Sequence, residues 1–219
     1  MQLSDRMMEL DQSLTIHNEG EWSKTVSTYS AFNSGGVETE VGEFLYGLLR
    51  MIKPDYVLET GTHKGIGASF IGMALKDNFK GILETVEYIP EIHKEAVERI
   101  HTMGLDAYVK CYLMDVKDLP VQHNYQVVLL DTEPQTRFAE FLKFYPYVDE
   151  GGYIFIHDLG RELQQKEIPG LGWGWPFGKL PDEIRDLMRT GKIHPFYFNT
   201  PRGISGFYKS HPLDYKYEL

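Results

Sequence analysis

The spacing of apolar and polar positions changes several times along this chain, and each change marks an element. Residues 14–36 show no apolar period and are rich in Ser, Thr, Asn and Gly, which predicts an irregular arm. From Glu38 the pattern becomes helical. Val41, Phe44, Leu45, Leu48, Leu49 and Ile52 recur at three- and four-residue steps and form one apolar face, and Pro54 ends the helix. Alternation follows: strand 56–59, helix 67–76, strand 81–86, helix 90–103, strand 108–113, strand 125–130, helix 137–147 and strand 152–156. Strands alternating with helices imply an α/β fold, a parallel sheet with helices on both faces. Val127, Val128, Leu129 and Leu130 are all apolar, as a central strand buried on both sides requires. The last stretch differs. A helix over 181–189 precedes two strands, 193–199 and 204–209, joined by Thr200-Pro201-Arg202-Gly203, a sequence suited to a tight turn. The sheet is therefore expected to close with a β-hairpin that sets one late strand antiparallel to its neighbours.

Length and composition narrow the picture only a little. A chain of 219 residues fits one domain with a short appendage, here an arm over 1–36 and a domain over 37–219. A net charge of −10, with no Lys/Arg cluster, argues against nucleic acid as the main partner. No apolar run approaches the ~20 residues that cross a bilayer, and residues 1–11 have no apolar secretory core, so no membrane partner is expected. The single Cys111 excludes an internal disulfide and a cysteine-based zinc site, and reads as a core thiol in a cytoplasmic protein.

The chemistry-bearing positions begin at the first strand-to-helix turn, Glu59-Thr60-Gly61-Thr62-His63-Lys64-Gly65-Ile66-Gly67. Glycines let the backbone turn tightly and approach a ligand closely. Glu87 ends the second strand of this pair, 20 residues after Gly67, where a carboxylate can accept from ribose hydroxyls. Either feature alone also fits a ligand-free turn or a solvated strand-end acid. The spacing is G-x-x-x-G-x-G rather than the dinucleotide G-x-G-x-x-G. A carboxylate at Glu59 would repel a pyrophosphate and suit the α-ammonium of a methionine moiety. S-adenosylmethionine is thus favoured over NAD.

The run 57–65 resembles motif I of class I S-adenosylmethionine-dependent methyltransferases, in the E-x-G-T-x-x-G form of small-molecule (catechol-type and sugar-type) O-methyltransferases. Thr85-Val86-Glu87-Tyr88 resembles the family's acidic loop, Met114-Asp115 its adenine-side motif, and Asp131 with residues 148–158 its later motifs. The resemblance spans about residues 37–209. It implies a Rossmann-like methyltransferase fold with a mostly parallel seven-stranded sheet and a C-terminal antiparallel β-hairpin. It also implies cofactor binding by Glu59, Gly61, Thr62, Gly65, Glu87, Tyr88, Asp115 and Asp131. Asp115 reads equally as a turn or cap acid.

Methyl transfer from a sulfonium is an in-line displacement, so the protein aligns the nucleophile and removes its proton. Asp131, His157 and Asp158 are the candidate catalytic residues. Asp131 and Asp158 follow strands expected to be adjacent, and two carboxylates suit Mg²⁺ or another divalent cation. In catechol-type relatives, however, a lysine follows the first aspartate by three positions and a third ligand follows the second. Here those positions are Pro134 and Leu159. His157 is a candidate base or ligand, or a strand-end histidine bonded to a backbone carbonyl. Trp173 and Trp175, in the glycine-rich stretch after Asp158, read as a substrate lid or an interface. The resulting expectation is methyl transfer to a small-molecule acceptor, at a hydroxyl oxygen, with a homodimer a further implication of the resemblance. The alternatives are a non-catalytic S-adenosylmethionine-binding relative and an NAD-dependent oxidoreductase.

Overall fold

A computed structural model describes residues 2–18, 29–33, 35–159, 180–198 and 202–211. The chain divides into two compact units, residues 1–119 and 120–219. The first contains α1 (Leu3–Leu10), β1 (His17–Asn18), β2 (Ser30–Ala31), α2 (Thr39–Ile52), β3 (Tyr56–Thr60), α3 (Ile66–Asn78), β4 (Ile82–Glu87), α4 (Pro90–Thr102) and β5 (Val109–Leu113). The second contains β6 (Tyr125–Leu130), α5 (Arg137–Phe144), β7 (Val148–His157), α6 (Asp182–Arg189), β8 (Ile193–Phe198) and β9 (Ile204–Lys209). Seven strands form one sheet in the order β5-β4-β3-β6-β7-β9-β8. The mostly parallel sheet with an antiparallel C-terminal hairpin, expected from the sequence, is present.

In the first unit, α2 buries Val41, Leu45 and Leu49 along the stripe its periodicity marks. It ends where Lys53 turns left-handed (φ 49°) ahead of Pro54. Helix α3 is buried at every position from Ile66 to Leu75, so it lies inside the unit rather than on its surface. Strands β3 and β4 pair in parallel with Glu59 opposite Thr85, and β4 pairs with β5. The N-terminal residues hold more order than their composition suggests. α1 is tied down by Arg6, which pairs with Asp77, and Asp11 accepts from Arg99 at 3.0 Å. The pairing of β1 with β2 gives the segment around residue 30 a fixed place.

In the second unit, β6 and β7 pair in parallel with a register shift between Tyr125 and Val127. That irregularity lets β7 begin at Val148, earlier than the glycine pair Gly151-Gly152 suggested. Helix α5 stops at Phe144 and gives way to a 3₁₀ turn over Tyr145–Tyr147, because Pro146 has no amide to continue the ladder. β9 lies between β7 and β8 and is antiparallel to both, with His157 opposite Ile204. The core of this unit gathers Val127–Leu130, Phe141, Phe144, Phe155 and Phe207, all buried. Thr200 and Pro201 of the expected turn, and the tryptophan-bearing stretch, lie outside the described residues. Among the described residues, no helix is long and apolar enough to cross a membrane.

Candidate functional site

The first-unit candidates converge at the ends of β3 and β4. Because Glu59 and Thr85 are paired in register, the Thr85 hydroxyl meets the Glu59 carboxylate, donating to Oε2 at 2.6 Å. Thr62 Oγ1 lies 2.6 Å from the Thr85 oxygen. With the Thr85 proton directed to Glu59, Thr62 must be the donor, so a relay Thr62→Thr85→Glu59 orients the carboxylate. Glu59 is 1% exposed, and a buried carboxylate is retained only with donors or a cation around it. Its other oxygen explains Gly67. A β-carbon at that position would sit 2.2 Å from Glu59 Oε1, so only glycine leaves the carboxylate its place. Gly65, at φ 79°, begins α3 in a left-handed conformation beside the Ala96 backbone. The Gly61 and Thr62 amides both donate to the Val86 carbonyl at 3.0 Å, which fixes the turn to β4.

Glu87 is held by three backbone amides. His63 N–H donates to Oε2 at 3.0 Å, and the Tyr88 and Ile89 N–H groups each donate to Oε1 at 2.9 Å. These donors carry no formal charge, and together they fix the carboxylate at the end of β4. Tyr88 beside it is a large aromatic residue, 55% exposed. The arm also reaches this turn: a β-carbon on Gly35 would sit 2.7 Å from the His63 ring, and Gly36 lies against Ile66. Asp115 has a local role. It caps a 3₁₀ turn by accepting the Lys117 N–H at 2.9 Å, and its other oxygen pairs with Lys117 Nζ at 2.9 Å. Its side chain is half exposed.

The second-unit candidates form a different kind of cluster. His157 ends β7, is fully buried, and places Nδ1 2.8 Å from Asp131 Oδ1. A carboxylate only accepts, so Nδ1 carries the proton. Asp158 turns into the left-handed region at φ 57°, a costly conformation that aspartate tolerates better than most residues. That turn sets its carboxylate 3.6 Å from His157 Nδ1. Sequence reasoning missed the residue that joins these groups. Arg137, at the start of α5, donates from Nη2 to Asp131 Oδ1 at 3.1 Å and to Asp158 Oδ2 at 3.3 Å. Its Nε donates to the Thr132 carbonyl at 2.7 Å and its Nη1 to the His157 carbonyl. Arg202, just before β9, donates from Nε to Asp158 Oδ1 at 2.8 Å. Burial alone would raise the Asp158 pKa, but Arg202, His157 and Arg137 outweigh it and hold the carboxyl well below the usual range. Asp131, His157 and Asp158 offer ligand atoms within 4.8 Å of one another, the kind of grouping that can hold a cation. A basic residue i+6 from an aspartate at a strand end is the only signal that could have pointed to Arg137.

Comparison with known proteins agrees with this architecture. Residues 58–159 match the family described as a methyltransferase domain. No curated protein matches the chain. Among solved structures, the O-methyltransferase TomG from Streptomyces achromogenes, involved in tomaymycin synthesis and in complex with SAM, is 16% identical with a TM-score of 0.63, over 94% of this chain and 89% of that one. The O-methyltransferase from Bacillus cereus, in complex with SAH, is 16% identical with a TM-score of 0.63, over 81% and 84%. The SAH-bound methyltransferase PaMTH1 from Podospora anserina is 16% identical with a TM-score of 0.62, over 80% of each chain. The described sheet thus has the fold of these methyltransferase structures, and residues 58–159 resemble a methyltransferase domain in sequence.

Proposed function

We propose that the chain binds S-adenosylmethionine at the Glu59–Glu87 cradle and transfers its methyl group to a hydroxyl oxygen of a small-molecule acceptor. The observation that carries this reading is Glu87, a strand-end carboxylate oriented by three uncharged backbone amides. Oε1 already takes two amides, so Oε2 is the oxygen for a ribose hydroxyl. Glu59, buried and oriented by Thr85, suits the α-ammonium of the methionine end, with Gly61, Thr62 and Gly65 shaping the turn around it. Tyr88 offers its exposed ring to the adenine, and Asp115 can accept from the adenine amino group beside its capping bond. SAM or SAH bound in similar folds supports the cofactor, and O-methyltransferase relatives support oxygen as the acceptor atom.

S-adenosylmethionine, when bound, supplies the electrophilic methyl group. The chain's own part is to hold the acceptor and take its proton. His157 donates Nδ1–H to Asp131, which fixes the tautomer in which Nε2 is the basic nitrogen, and His157 is assigned as the base that takes the acceptor's proton. Asp158, kept ionised by Arg137 and Arg202, stabilises the imidazolium that results. Thermal unfolding with S-adenosylhomocysteine and with NAD tests the cofactor reading, since a ligand of the native state raises Tm. Stabilisation by S-adenosylhomocysteine alone supports it; stabilisation by NAD alone sinks it.

A second reading rests on the burial of the cluster. His157 is fully buried and both aspartates are bonded to arginine, as a structural network also requires. The chain would then bind S-adenosylmethionine without transferring its methyl group. With a panel of hydroxylated acceptors, His157→Gln separates the two, because only the catalytic reading predicts turnover that this variant abolishes while S-adenosylhomocysteine still binds.

A further inference from the structure

We infer that Arg137 and Arg202 take the place of a divalent cation at the Asp131–Asp158 pair, so that the cluster is built to work without metal. The statement about the residues stands on the geometry; its bearing on catalysis rests on the proposed methyl transfer. A cation shared by two carboxylates bridges one oxygen of each. Arg137 Nη2 already does this, with Asp131 Oδ1 at 3.1 Å and Asp158 Oδ2 at 3.3 Å. Arg202 covers the remaining Asp158 oxygen at 2.8 Å. Both oxygens of Asp158 and Oδ1 of Asp131 thus face guanidinium N–H groups.

The charge count points the same way. Two carboxylates and two guanidinium groups sum to zero, and an arginine cannot shed its proton to admit a metal. A divalent ion would leave two uncompensated positive charges where the side chains of Arg137, Asp158 and His157 are at most 7% exposed. Oxygen ligands hold Mg²⁺ at about 2.0–2.1 Å, which would bring the ion against the guanidinium nitrogens now bonded to those oxygens. His157 contributes nothing through Nδ1, whose proton points at Asp131. Leu159, where catechol-type relatives have a third ligand, is a buried apolar side chain. Arg137 is no loose substitute either. Its Nε and Nη1 bond the Thr132 and His157 carbonyls, so the main chain after both β6 and β7 anchors it.

The test adds Mn²⁺ alone to the wild-type protein and follows the electron paramagnetic resonance of the free ion. The expected signal matches the protein-free control up to metal concentrations on the order of 1 mM, a very weak affinity for a metal site. Thermal unfolding is expected to give one Tm in Mg²⁺ and in chelator. One Mn²⁺ bound per chain, lost in Asp158→Asn, overturns the inference. The expected results are both read on the unaltered protein; Asp158→Asn serves only to locate an ion that does bind, and Asp131→Asn replaces it if that variant fails to fold. S-adenosylhomocysteine binding is measured in the same chelator buffer. Absence of both ligands removes the methyltransferase reading and leaves the arginine assignment standing; Mn²⁺ binding together with S-adenosylhomocysteine binding does the reverse.

Discussion

The two candidate regions hold carboxylates by opposite means. At the cradle, Glu87 is gripped by three amides and Glu59 by a threonine hydroxyl, donors that orient an anion without cancelling it. At the second-unit cluster, Asp131 and Asp158 are gripped by guanidinium groups that do cancel them. The difference decides what each can receive. A carboxylate held only by uncharged donors can take ribose hydroxyls or an ammonium; a pair already bonded to two guanidinium groups has little left for a divalent ion and serves instead to fix a histidine. Both arrangements follow from burial, which forces every carboxylate to find donors, and from which donors the neighbouring strand ends supply.

The largest effect is expected from removing the cancelling charge. Arg137→Met leaves two buried carboxylates facing one another, and breaking a buried pair in this way costs about 3–5 kcal/mol. Urea unfolding checks it, and an unchanged midpoint would break the comparison. At the cradle the loss should appear in binding. Glu87→Ala removes a charge-assisted hydrogen bond worth about 1.5–3 kcal/mol, so S-adenosylhomocysteine affinity should fall roughly tenfold to a hundredfold by calorimetry. Gly67→Ala strikes the same site through space, since its β-carbon displaces the end of a flexible Glu59 side chain. It should therefore weaken S-adenosylhomocysteine by about tenfold while costing about 1 kcal/mol of stability, at the low end for overpacking. A stability loss with intact affinity would separate Glu59 from the ligand.

Acid sharpens the second-unit side. The native pKa of Asp158 lies below the ordinary carboxylate value, so the unfolded chain takes up the proton first as pH falls. Its contribution is present above the unfolded pKa of about 3.9 and is lost as pH falls through the native value. The stability difference between wild type and Asp158→Asn should stay constant from about pH 7 to 5 and narrow below about pH 4. A gap that widens in acid would contradict the assignment. The smallest effect belongs to Asp115, whose exposed carboxylate also caps its own turn. Asp115→Ala should cost S-adenosylhomocysteine about 1 kcal/mol, a several-fold change.

The cradle was legible in the sequence and the cluster only half so, for a physical reason. Strand β6 was read at its observed bounds, and Glu59, Gly67 and Glu87 lie within a local β-turn-α-β unit where spacing fixes position. The Asp131–His157 contact joins residues 26 apart and could be guessed from adjacent strands. The two arginines could not. Arg137 reaches back from a helix start, and Arg202 arrives from a strand that enters antiparallel, 44 residues after Asp158. Elements whose order depends on a few long-range pairings, such as α1 held by Arg6 and Asp77, were equally hidden behind a polar composition.

The most direct test of the account is calorimetric titration of S-adenosylhomocysteine into the wild-type protein in excess chelator, repeated with Glu87→Ala. The account predicts one site per chain that needs no metal and weakens at least about tenfold in the variant. No binding to the wild type, binding that appears only with added Mg²⁺, or equal affinity in Glu87→Ala would contradict it.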